Sequence, residues 1–230
     1  MSSIKRTARL AGLLYVVMSA MMVFSYMYLP ATFLVPGDAA ATARKITDGA
    51  LLYRIGILSD LAAQLLFIFV VLTLYQLFKD VSRMHARLMV TLVCVGVAAE
   101  IVNLITHMAP LIFLSGADYL SVFTEPQLDA LAMGALRLGN SLGQLLLAIW
   151  GLWLFPFGIL TIKSGFFPKV LGYLLMMAGV AYVVSCVTAI VFPANIDAVS
   201  RVVMPLYFGE LPIVLWLLVM GAKVPQVEVT

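Results

Sequence analysis

Apolar residues gather in six blocks, at about 10–34, 51–78, 88–113, 134–162, 170–192 and 203–222. Short segments between the blocks carry most of the charge. A helix needs roughly 20 apolar residues to cross the hydrocarbon of a bilayer, and every block reaches that length. Transmembrane strands would alternate apolar and polar positions, whereas a run such as 65–74 (LLFIFVVLTL) is apolar on every side. The pattern predicts an all-α polytopic transmembrane bundle of about six helices, forming a single domain over 1–230.

Composition agrees. The chain is 63% hydrophobic and 11% charged, against about half apolar and a quarter charged for a water-soluble domain. Its partner is therefore the lipid bilayer. The net charge of +3 does not point to nucleic acid, because the basic residues sort by membrane side. One side holds Lys5, Arg6, Arg9, Lys79, Arg83, Arg87, Lys163, Lys169 and Lys223; the other holds Arg44, Lys45, Arg54, Arg137 and Arg201. By the positive-inside rule the first set is cytoplasmic, which places both chain ends there, as in a multi-pass protein of the cell (inner) membrane. The segment MSSIKRTAR resembles the start of a signal peptide, but no small-residue cleavage pattern follows, so residues 10–29 read as a retained helix. Cys94 and Cys186 sit in apolar runs without metal or redox spacing, and read as small hydrophobes.

The outer connections carry the turn chemistry. Gly37-Asp38 ahead of AAATARKI predicts a short surface helix capped by Asp38 and ended by Gly49. Thr124-Glu125-Pro126-Gln127 predicts a capping-box start that runs straight into the fourth span. Asp197 and Arg201, four apart, predict a pair at the start of the sixth. The stretches RLAGLLY, PGDAAATARKI, ARLMVTLVCVGVAAEIVNL and KSGFFPKVLGYLLMMAGVAYVV, in this order, resemble the bacterial family called domain of unknown function 4386. The KSGFFPKVLG segment is the most specific of them. The resemblance implies an uncharacterised multi-pass membrane protein and brings no activity or catalytic residues with it.

Ionisable and amide side chains inside the blocks are the candidate chemistry, since a charge at helix centre costs about 2.5–3.5 kcal/mol on insertion scales. The second block carries Asp60 and Gln64, and the third Glu100, Asn103 and His107. The fourth carries Arg137, Asn140 and Gln144, and the sixth Glu210. Each set recurs at helical spacings of three or four. At 1.5 Å per residue, Asp60, His107, Gln144 and Glu210 fall roughly 7–12 Å below the outer surface, with Glu100 near the midplane. The inner halves are almost purely apolar. This predicts an outward-opening polar pocket for a small polar or cationic solute, or a lipid headgroup. Pro205 and Pro212 flank Glu210, and each removes a helical hydrogen bond; a broken helix with an acid at the break points to a binding site.

Two other readings compete. One is an intramembrane hydrolase of a lipid or isoprenoid, using Glu100 or Glu210 with His107 as acid–base groups or metal ligands. The other is a structural or accessory subunit, in which the same groups only join helices. No phosphate loop, cofactor box or metal-ligand spacing is found, so the sequence names no cofactor and no metal. Gly172 and Ala178 would allow close packing of the fifth helix, which leaves the oligomeric state open.

Overall fold

The computed structural model describes residues 3–222, which form helices and turns with no strand among them. The helices are α1 (Ser3–Val23), α2 (Leu29–Phe33), α3 (Ala39–Asp48), α4 (Ala50–Phe78) and α5 (Arg83–Phe113). They continue with α6 (Glu125–Leu152), α7 (Leu154–Ser164), α8 (Lys169–Val191), α9 (Ile196–Tyr207) and α10 (Leu211–Val219). Joined end to end where only a short break intervenes, they give six stretches long and apolar enough to cross a membrane: Ile4–Phe33, Ala50–Phe78, Arg83–Phe113, Glu125–Ser164, Lys169–Val191 and Pro193–Val219. Large apolar residues such as Leu58, Phe69, Val102 and Ile105 are exposed along these helices. So much apolar surface is unsuited to water. The chain is a multi-pass helical membrane protein.

Several boundaries lie outside the apolar blocks, because a helix continues until its backbone is capped. The third span begins at Arg83 and the fourth at Glu125. At the latter start the Gln127 side chain accepts the Thr124 N–H at 2.8 Å, half of the expected capping box. The short helix α3 forms as its caps predict, with Asp38 Oδ1 accepting the Ala41 N–H at 2.8 Å. The sixth span begins at Pro193 rather than 203. There the Arg201 side chain donates to the Asp197 backbone carbonyl at 3.3 Å, in place of the expected side-chain pair. Lys223, counted with one side's basic residues, lies outside the described residues.

Three breaks interrupt the spans. A π-helical turn, Phe24–Tyr28, separates α1 from α2. The fourth span parts between α6 and α7, where Pro156 has no N–H for the Leu152 carbonyl. In the sixth, a 310 turn, Phe208–Glu210, separates α9 from α10, with Pro212 in the first turn of α10.

Residue contacts group the chain into two units, residues 1–17, 66–98 and 144–230, and residues 18–65 and 99–143. The first is packed around aromatic rings. Phe67 stacks on Trp150 with ring centroids 5.4 Å apart, Trp153 stacks on Phe157 at 5.3 Å, and Phe78 meets Phe157 edge-on. Small residues bring its backbones together: a Cβ on Gly158 would lie 2.7 Å from the Gly172 carbonyl oxygen, and one on Gly151 2.6 Å from that of Gly179. The small residues of α8 are thus used inside the chain, against α6 and α7. The second unit is built on Leu29, Phe33, Ile46 and Tyr53, with Phe24, Leu52, Ile57, Leu111, Leu114 and Leu136 packed around them.

Candidate functional site

The second unit holds four of the polar candidates together. Asp60 and Gln64 are one turn apart on α4, and the Gln64 amide N–H donates to Asp60 Oδ1 at 3.1 Å. Glu100 and Asn103 are one turn apart on α5, with the Asn103 amide on Glu100 Oε1 at 3.4 Å. Thr106 extends the row by donating to the Asn103 side chain at 3.1 Å. All four candidates are almost fully enclosed, Asp60 at 5%, Gln64 at 1%, Glu100 at 3% and Asn103 at 2% exposure. The fifth member comes from the π-helical turn. The Tyr26 hydroxyl donates to Glu100 Oε1 and lies near Asp60.

Local packing positions that phenol. Ser25 Oγ donates to the Gly56 carbonyl at 3.2 Å, and the Leu29 side chain fills the space a Cβ on Gly56 would need. Glycine at 56 therefore lets the π-helical turn lie close against α4. Two polar atoms within the cluster lack partners: Glu100 Oε2 and Gln64 Oε1 are both buried without a hydrogen bond. The hydrogen bonds that Tyr26, Asn103 and Gln64 donate nearby fall on Glu100 Oε1 and Asp60 Oδ1 instead. Both unpartnered atoms are acceptor oxygens.

Glu210 lies in the first unit, where its carboxyl has tyrosine hydroxyls around it. Tyr15 donates to Oε2 at 2.5 Å, and the Tyr182 hydroxyl also faces the carboxyl. Tyr182 stacks on Tyr207 with ring centroids 4.6 Å apart, and Tyr207 shares a 2.5 Å hydrogen bond with Ser185. The helix break places this acid: a Cβ on Gly209 would lie 2.5 Å from the Leu174 carbonyl oxygen, so the 310 turn presses against α8.

The other candidates are placed as follows. The His107 ring packs against α6 at Gly139, and its backbone carbonyl accepts from Tyr53 at 2.9 Å. Arg137 and Asn140 are exposed on α6, and Gln144 is half-buried at the start of the first unit's share of that helix. Within the second unit an open groove of ≈ 560 Å³ is lined by Phe113, Phe123, Gln127, Leu131, Gly134 and Leu138, among others. None of the nine candidates lines it. Among the described residues no group of three or more His, Cys, Asp or Glu side chains is arranged for a metal ion.

Tyrosines Tyr15, Tyr26 and Tyr182 are the partners that the sequence pattern passed over. Each sits within a largely apolar block and reads as ordinary packing, yet a phenol O–H in hydrocarbon requires an acceptor. That requirement was the available signal.

A family profile described as Domain of unknown function (DUF4386) matches residues 10–221. No curated protein gives a significant match, and no solved structure does.

Proposed function

The chain belongs to the DUF4386 family, and we propose that it is a binding or transport protein whose ligand is a small polar or cationic solute, or a lipid headgroup. Asp60 and Glu100 supply the negative charge, while Gln64, Asn103 and Tyr26 orient what binds. The observation that carries this reading is the pair of buried, unpartnered acceptors, Glu100 Oε2 and Gln64 Oε1. A group built only to join helices gains by having every polar atom matched, since an unmatched one costs about 1–3 kcal/mol. Acceptors left open in hydrocarbon beside two acids suit a ligand that brings donors or positive charge. We place the protein in the cell (inner) membrane with both ends cytoplasmic, on the distribution of its basic residues.

The test is a ligand panel on the full chain in lipid nanodiscs, read by thermal unfolding. Ethanolamine, short diamines and phosphate-bearing headgroup analogues are the probes. At least one is expected to raise the midpoint saturably in the native chain and to lose that effect in Asp60→Asn and Glu100→Gln. If no probe acts, or if the effect is the same in both variants, the cluster is structural.

The accessory-subunit reading has one observation in its favour. The Glu210 carboxyl accepts a hydrogen bond from Tyr15 of another helix and has the Tyr182 hydroxyl beside it, which is how interhelical fastening looks. We assign Glu210 that role and leave the ligand to the Asp60–Glu100 cluster.

A further inference from the structure

Resting on that reading of the same cluster, we propose that Asp60, Gln64 and Glu100 bind a monovalent alkali-metal cation, with sodium as the probe, as the ion that accompanies the solute. Three donor groups reach the cluster, and the hydrogen bonds they make fall on oxygens other than the open ones. Tyr26 and Asn103 donate to Glu100 Oε1, and Gln64 Nε2 donates to Asp60 Oδ1. Glu100 Oε2 and Gln64 Oε1 then remain, on side chains 3% and 1% exposed.

Among the described residues the partners of the two acids are Tyr26, Gln64 and Asn103, and none of them is basic. Two carboxyls in a medium of low dielectric therefore lack a protein counter-charge. A bound cation answers both needs at once: it supplies positive charge, and it accepts several oxygen ligands in place of separate hydrogen bonds. A proton caps one oxygen only. A carboxylamide oxygen such as Gln64 Oε1 does not take up a proton in this range, so protonation of an acid leaves it in need of a donor or an ion.

The donor set fixes the class of ion. Its ligands are carboxyl, amide and phenol oxygens, which suit hard cations. Thiolate and imidazole, the ligands of softer metals, are absent from the partners just named. The third carboxylate or histidine that a divalent site draws on is missing as well, since no group of three such residues forms among the described residues. Ion sites of this sort in transporters lie within the membrane at interrupted helices, and here the π-helical turn Phe24–Tyr28 carries Tyr26 to the acids.

The experiment heats the full chain in nanodiscs in sodium, potassium or choline chloride at one fixed ionic strength, following unfolding by tryptophan fluorescence. Sodium is expected to raise the midpoint saturably above choline, by several degrees. The rise should vanish in Glu100→Gln and Gln64→Leu and persist in Glu125→Gln, an exposed carboxyl in the first turn of α6. Asp60→Asn provides a second neutral replacement if either cluster variant fails to fold. Equal midpoints in sodium and choline overturn the assignment, and so does a sodium rise that survives in the folded cluster variants. A panel solute that acts through Glu100 equally well in both salts overturns the ion and leaves the solute reading standing. No response to any ion or solute removes both.

Discussion

Tyr15 and Tyr26 each set a phenol on a carboxyl, Tyr15 on Glu210 and Tyr26 on Glu100. Replacing either by phenylalanine keeps the ring and deletes the donor. Interhelical hydrogen bonds in membranes average about 0.6 kcal/mol and reach about 2 in model peptides. Tyr15→Phe and Tyr26→Phe should therefore each lower stability by about 0.6–2 kcal/mol, measured by unfolding of the purified chain in mixed detergent. A loss well above this range would mean that the phenol holds more than one bond in place. The two variants should part in ligand response. Tyr26→Phe is expected to weaken solute or ion binding several-fold, whereas Tyr15→Phe leaves it unchanged, because Tyr15 serves Glu210 instead. At this scale the acids and amides were legible from sequence, since each breaks an apolar run at helical spacing. Their tyrosine partners were not, because tyrosine is compatible with an apolar run and its hydroxyl gives no periodic signal.

Among helices, glycine marks two opposite situations. On α1, a Cβ at Gly12 would collide with the backbone of Leu217 and Leu218 on α10. On α6, a Cβ at Gly134 would meet nothing within 4 Å. Gly12→Ala should destabilise by about 1–3 kcal/mol, as overpacking does. Gly134→Ala should be neutral or stabilise by up to about 1 kcal/mol through helix propensity. Thermal unfolding of both variants checks the pair, and a loss in Gly134→Ala would mean that its groove is filled by something that alanine displaces. All six spans were legible as apolar blocks, and the proline-bearing breaks were legible as well, at Pro156 and between Pro205 and Pro212. The π-helical turn was hidden, because 24–28 (FSYMY) contains neither glycine nor proline. The starts at 83 and 193 lie several residues ahead of the apolar blocks, in polar sequence that hydropathy alone does not mark as helix, whereas the start at 125 was legible in the Thr124–Gln127 capping pattern.

For the whole molecule, the distribution of basic residues predicts topology. In a chain freed of Cys94 and Cys186, a cysteine at Asp80 should react with an impermeant maleimide only after the membrane is opened. One at Ser121 should react in intact cells. Both positions are exposed, so the reverse pattern would invert the assigned orientation. The central claim is that the Asp60–Glu100 cluster is a ligand site and not a fastening between helices. An experimental density map of the full chain, in lipid and in sodium chloride, tests it most directly. The account predicts a distinct density within ligand distance of both Glu100 Oε2 and Gln64 Oε1. A map in which protein donors cap those two oxygens, with no density between them, would contradict it.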